Sequence, residues 1–147
     1  MIVFRMHPIA ADTFDTAGSF FRAGRWHKAG SRVIYAAEHA SLALLETLIH
    51  SGRRKIPQRA ITRIQIPDEV SVEQAPWMDL PDSQNFGARW LREMRTAVLR
   101  VPSVAVNRME SNFVLNPSHL EFARIQQDRP QIFDFDSRLF DASAEIF

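Results

Sequence analysis

The chain has no cysteine and only one tyrosine among its 147 residues, and its formal net charge is +1. Without cysteine there is no disulfide framework, no thiolate zinc site and no cysteine nucleophile. Without a cationic excess, the chain lacks the usual mark of a strongly basic nucleic-acid binder. Long apolar runs are missing too. Leu42-Ala43-Leu44-Leu45 is the longest aliphatic run near a helical pattern and is far too short to span a bilayer. Met1-Ile2-Val3-Phe4 meets Arg5 at once, so no basic leader with an apolar stretch is visible. These absences predict a soluble, cytoplasmic protein with no membrane partner. His7, His27, His39, His50 and His119 form no His-x-x-x-His pair and no carboxylate cluster of metal-ligand spacing, which predicts no metal. Glycine-rich phosphate signatures and the Gly-x-Ser-x-Gly elbow are absent as well.

What is present is ordinary in bulk. A hydrophobic share of 46% and a charged share of 24% are those of a globular domain. A chain of this length hides roughly 70% of its unfolded surface, enough for one core without staples. One bias stands out. Of the 18 basic residues only Lys28 and Lys55 are lysine. Arginine presents a planar fork of donors suited to phosphates and carboxylates, whereas lysine is a hydrated point charge. Genomic base composition accounts for the bias equally well.

Neither repeats nor low-complexity tracts appear, and the prolines are scattered as punctuation. Ile2 to Met6 reads as an opening strand, and residues 9–32 as irregular or partly helical. Arg32 to Ala36 is a strand by its Val-Ile-Tyr run. Ser41 to His50 is the clearest helix, with Ser41 as N-cap and Gly52 as stop. Arg59 to Ile66 and Val70 to Val72 read as strands, and Ala75 to Asp82 as proline-rich loop. Phe86, Trp90, Leu91, Met94 and Val98 recur at near-helical spacing, which predicts a helix over Ser83 to Leu99, broken by Pro102. Ser103 to Asn107 and Asn112 to Asn116 read as partner strands, Pro117 to Ile125 as turn and short helix, and Gln131 to Phe135 as a last strand. Strands divided irregularly by helices predict an α+β fold.

Five residues stand out chemically. Glu46 shares a helical face with Leu42 and Ile49, on a helix apolar nearly all round, which predicts a carboxylate in or near the core. Such a group is either paired with an arginine that locks helix to sheet, or used as an acid, base or cation-stabilising carboxylate. Gly24-Arg25-Trp26, with Gly30 beyond, lets the backbone bend sharply, so that Arg25 grips a phosphate over the tryptophan or simply braces it by cation–π contact. Arg5, at the end of the first strand, has the same two readings. Tyr35 is either a core ring with a bonded hydroxyl or a stacking platform. Ser103 follows Pro102 as a strand-edge hydrogen bonder, without the setting of a hydrolase nucleophile. Arg53-Arg54-Lys55 reads as a solvated run complementing a helix end.

Phe4-Arg5, Gly24-Arg25-Trp26, Val33-Ile34-Tyr35-Ala36 and Ser41-Leu42-Ala43-Leu44-Leu45-Glu46 follow the order of the RES domain. So do Val101-Pro102-Ser103 and Asn112-Phe113-Val114-Leu115-Asn116-Pro117-Ser118-His119. The chain thus resembles, over residues 1–147, the toxin half of bacterial RES–Xre toxin–antitoxin pairs. The resemblance implies a single α+β domain similar to the ADP-ribosyltransferase toxins, with a central mixed or antiparallel sheet flanked by helices. It implies an enzyme with NAD⁺ as substrate and no metal. That enzyme depletes NAD⁺ by hydrolysis or phosphorolysis at the nicotinamide–ribose bond, or else transfers ADP-ribose to a cellular protein. The family's named residues fall on Arg25, Glu46 and Ser103, and Arg5 and Tyr35 match further pocket positions. Glu46 would stabilise the oxocarbenium-like state and orient the nucleophile, Arg25 and Arg5 would hold the pyrophosphate, Tyr35 would stack on nicotinamide, and Ser103 would hydrogen-bond nearby. The implied partners are an Xre-type antitoxin with a helix-turn-helix domain and a second copy of the chain. Two places depart from the pattern: His27-Lys28-Ala29 replaces a more usual Asn and Pro, and Leu120 a frequent proline. Less favoured by the residues are an RNA-directed toxin, which sixteen arginines and three tryptophans would permit, and an inert partner of a regulator.

Overall fold

The computed structural model describes residues 1–52 and 54–141, which leaves Arg53 of the basic run outside. Eight strands and three helices follow one another as β1 (Ile2–Pro8), α1 (Ala17–Phe21), β2 (Ile34–Ala37), α2 (Ala40–His50), β3 (Arg59–Gln65), β4 (Val72–Gln74), α3 (Asp82–Arg92), β5 (Val98–Pro102), β6 (Ser111–Leu115), β7 (Gln126–Gln127) and β8 (Gln131–Phe133). The strands join in one sheet of order β4-β5-β6-β2-β1-β3-β7, with β8 also on β3. Only β4 and β5 pair in parallel; the other pairs are antiparallel. This is an α+β domain with a mixed sheet, as expected.

Strand alternation divides the apolar residues between two cores. Val98, Phe113 and Leu115 join Val3, Ile34 and Ile64 in one. Leu99, Val101 and Val114 join Trp26 and Trp90 in the other. A third cluster holds Leu42 and Ala43 of α2 against Ala37, Phe4 and Met6. Helices α2 and α3 and the loop carrying Trp26 therefore pack near the middle of the sheet.

Several expected boundaries move. The helix expected over Ser83 to Leu99 ends at Arg92, and Val98 and Leu99 lie in β5. Met94 takes the left-handed conformation (φ 50°) and stops the helix. The Trp90 indole then donates to Thr96 Oγ1 at 2.8 Å, turning the chain back along its own helix. The strand expected over Ser103 to Asn107 is instead a 3₁₀ turn, Val104–Val106, and Pro102 ends β5 rather than breaking a helix. Val70 and Ser71 precede β4 rather than forming it. Helix α2 starts at Ala40 with His39 at the N-cap, so Ser41 lies inside it and caps nothing. Gly52 (φ 67°) follows its end, as expected of a stop.

At Gly87, α3 has no room for a side chain. A Cβ there would overlap the Trp26 carbonyl oxygen. Gly→Ala inside a helix ordinarily stabilises by up to about 1 kcal/mol. Here the sign reverses: Gly87→Ala is expected to lose about 2 kcal/mol in urea unfolding, because overpacking outweighs propensity.

Candidate functional site

A cavity of about 330 Å³ opens between the sheet, α2 and the loop before β2. Its wall includes Arg5, Arg25, Tyr35, Glu46 and His50, with Val101 and Pro102 from the end of β5 and Val104 from the turn after it. Ser103 is buried beside that wall, so the five residues singled out from sequence come together from separate elements.

Glu46 is half-buried, near the core rather than inside it. Only Leu42 and Ala43 of α2 are buried, and Ile49 is 50% exposed, so the helix lies on the surface along one side. Loss of water raises the Glu46 carboxyl above its ordinary value, while His50, Ser103 and Arg25, in that order, pull it down. No ion pair joins Glu46 to an arginine among the described residues; Arg25 acts on it through space. The Ser103 hydroxyl is buried and has no hydrogen-bond partner of full geometry, yet it lies near enough to favour the ionised carboxyl.

The two arginines differ. Arg5 is engaged by the chain itself, donating to the carbonyls of Thr13 at 2.7 Å, Tyr35 at 2.8 Å and Asp15 at 3.4 Å. Burial pushes its guanidinium down to about 10. It braces β1, β2 and the intervening loop while lining the cavity. Arg25 lies 5.9 Å from the centre of the Trp77 ring and has no salt bridge among the described residues. Its donors are open to a ligand.

Local hydrogen bonds hold the Arg25 loop. Ser83 Oγ donates to the Arg25 carbonyl at 2.6 Å and Gln84 Nε2 to the Gly24 carbonyl at 2.9 Å. The Tyr35 hydroxyl accepts from Trp26 N at 3.2 Å and lies 2.8 Å from His27 Nδ1. His27 Nε2 faces the carbonyls of Ser19 and Arg22, both at 2.8 Å, which only accept. That nitrogen therefore carries the proton, and in the neutral ring Nδ1 accepts from Tyr35. Burial raises the Tyr35 phenol well above its ordinary value. A methyl at Gly24 would lie 2.7 Å from the Tyr35 oxygen, so glycine is required by close approach.

Sequence reasoning missed four residues. His50 is one helical turn beyond Glu46, and its i+4 spacing was the available signal. His27 was seen only as a departure from pattern. Trp77, in the proline-rich loop, and Arg108 gave no local signal. The structure also gathers Glu38, His39 and Glu110, which have ligand atoms within 4.8 Å of one another. Sequence spacing gave no sign of this cluster, because Glu110 is far along the chain from Glu38 and His39. The group is internally bonded: His39 Nδ1 lies 2.9 Å from Glu110, Glu38 accepts from Ser111 N at 2.7 Å, and Arg100 is 3.6 Å from Glu38. Glu110 raises the His39 pKa.

A half-buried carboxylate and an arginine without a salt bridge thus line one cavity, with the Ser103 hydroxyl buried beside it. The family model for the RES domain matches residues 2–136. The chain belongs to the family of RES-domain toxins. It is 35% identical over 142 residues to the Prs ADP-ribosylating toxin of Sphingobium sp., covering 88% of each chain. It is 34% identical over 151 residues to Toxin Res of Pseudomonas putida, covering 95% of this chain and 100% of the relative. The fold is shared with the M. tuberculosis MbcT-MbcA toxin-antitoxin complex at a TM-score of 0.73 and 14% identity, over 90% of this chain and 83% of that one.

Carboxyl-detected NMR titration is expected to place the Glu46 midpoint above that of an exposed glutamate. Ser103→Ala and Arg25→Ala should each raise it further, since both groups favour the ionised form. Tyr35→Phe should cost about 1–3 kcal/mol of stability by leaving the Trp26 amide unsatisfied, measured by chemical denaturation.

Proposed function

We propose that the chain is a toxin that consumes NAD⁺ by breaking the nicotinamide–ribose bond. The observation that carries this reading is Glu46, half-buried in the cavity that Arg25 also lines, with the buried Ser103 hydroxyl favouring its ionised form. The C1′–N bond breaks with its electron pair going to the nicotinamide nitrogen, which leaves neutral. Positive charge then develops on the ribose, where a fixed carboxylate is most effective because little water competes. Glu46 stabilises that charge and orients the incoming nucleophile, which bonds to C1′ as its proton passes to the Glu46 carboxylate and on to solvent. Because nicotinamide leaves as a neutral molecule, no general acid is needed. Arg25 holds the pyrophosphate with forked, charge-assisted hydrogen bonds, Ser103 binds the ligand nearby, and Tyr35 and Arg5 complete the wall. Tyr35 lines the cavity with its ring while its hydroxyl is engaged with His27 and Trp26, which suits a stacking role.

Water or phosphate as acceptor gives depletion of NAD⁺ and growth arrest. A protein acceptor gives ADP-ribosylation, a reading favoured by the Prs ADP-ribosylating toxin among the relatives. We further propose neutralisation by an Xre-type antitoxin with a helix-turn-helix domain, supported by the complex that MbcT forms with MbcA.

Purified protein is expected to release nicotinamide from NAD⁺, assayed with and without phosphate. Glu46→Gln and Arg25→Ala should keep their circular dichroism and lose about 10²–10³ in kcat/KM, the scale of removing one electrostatic stabiliser. Intact NAD⁺ in both buffers, with no labelled band when radiolabelled NAD⁺ meets lysate, would overturn the proposal.

A further inference from the structure

The cavity of about 330 Å³ lies at the small end of ligand pockets and is tight for a whole dinucleotide. Part of such a substrate must lie on the rim, and the rim next to Arg25 is unusual. The Arg108 guanidinium stacks 3.8 Å from the centre of the Trp77 ring, and Arg25 lies 5.9 Å from the same centre. Two cations thus share one ring, and neither has a salt bridge among the described residues. Trp77 is half-buried and Arg108 exposed. Arg108 follows Asn107 in a pair of left-handed residues (φ 65° and 56°), a conformation that costs energy for a side chain like arginine and clusters at functional sites. The same turn runs from Val104, which lines the cavity, and Arg108 N donates to the Ser103 carbonyl at 2.7 Å. The rim is therefore tied directly to the residue beside Glu46.

We propose that Trp77 and Arg108 form a second subsite, which takes the adenosine-phosphate half of the dinucleotide. The planar guanidinium occupies the place that a stacked base would take. On binding, Arg108 moves from the ring to a phosphate oxygen, and adenine takes the vacated face. Arg25 holds the neighbouring phosphate, so charge and stacking run outward from Glu46 in the order of the substrate's own groups. This assignment rests on the NAD⁺ reading, and it makes the enzyme selective for a dinucleotide over nicotinamide mononucleotide.

The test compares kcat/KM for NAD⁺ and nicotinamide mononucleotide in wild type, Trp77→Ala, Trp77→Phe and Arg108→Ala, with folding checked by circular dichroism. The ratio favouring NAD⁺ should fall about tenfold in Trp77→Ala and Arg108→Ala, the scale of one lost base stack, and less in Trp77→Phe. An unchanged ratio in folded variants would overturn the proposal. ADP binding by calorimetry asks the same question without turnover. About tenfold weaker binding in both alanine variants supports the subsite, and equal binding or none in wild type removes it. ADP binding that depends on Trp77, in a protein that leaves NAD⁺ intact, would sink the NAD⁺ reading and keep the subsite.

Discussion

The loop that carries Arg25 has no regular secondary structure, so its buried backbone groups must find partners elsewhere. The rest of the site depends on how they do. The first turns of α3 supply Ser83 and Gln84 to the carbonyls of Arg25 and Gly24. One turn on, Gly87 lets the helix press against the Trp26 carbonyl. From the other side β2 supplies Tyr35 to the Trp26 amide, and His27 holds Tyr35 while bonding to the carbonyls of Ser19 and Arg22. Wedged in this way, Arg25 has its main chain fixed and its guanidinium open. Ordering is completed in folding, so less of it opposes binding.

The strands and α2 were legible because their signals are local. β1, β2, β3 and β6 fall close to their β-branched and aromatic runs, and α2 on its apolar spacing. Where a tertiary contact decided, local pattern failed. Val98 continued the helical spacing of Phe86 and Trp90, yet the left-handed Met94 and the Trp90–Thr96 hydrogen bond ended the helix first. Ser103 was set in the wrong element, since the small residues after it alternate like a strand and fold as a 3₁₀ turn. Helix α2 was read too deep, while Glu46 lies half-buried beside the core. An apolar helix predicts full burial only when both sides are covered, and Ile49 shows that one is not. Glu110 reaches Glu38 and His39 only because β2 and β6 pair, which no short window reveals. Trp77 lacks even a periodic neighbour.

Burial sets the electrostatics of the cavity. A carboxyl that loses water interacts more strongly with neighbouring charge, at the cost of a raised pKa. Three different groups oppose that rise at Glu46: a histidine on its own helix, a serine at the end of β5 and an arginine on the wedged loop. None forms a close ion pair with it. A direct Glu46–Arg25 pair would neutralise the carboxylate and close the guanidinium, removing both from a ligand. Separation keeps each available, and the fold maintains it because the two residues belong to elements anchored independently on the sheet.

The excess of arginine over lysine also takes on a physical meaning. Arg32 stacks 4.4 Å from Phe20, Arg95 5.3 Å from Phe86 and Arg100 5.7 Å from Phe113. Arg5 divides its fork among three carbonyls. A lysine has neither the planar face for the first role nor the rigid fork for the second. These cations therefore hold the fold through rings and backbone oxygens, Arg95 and Arg100 adding ion pairs to Glu73 and Glu38. At the cavity rim the same chemistry is turned outward. Among the described residues, Trp77 is the one ring shared by two guanidiniums, a contact that engages arginine without neutralising it.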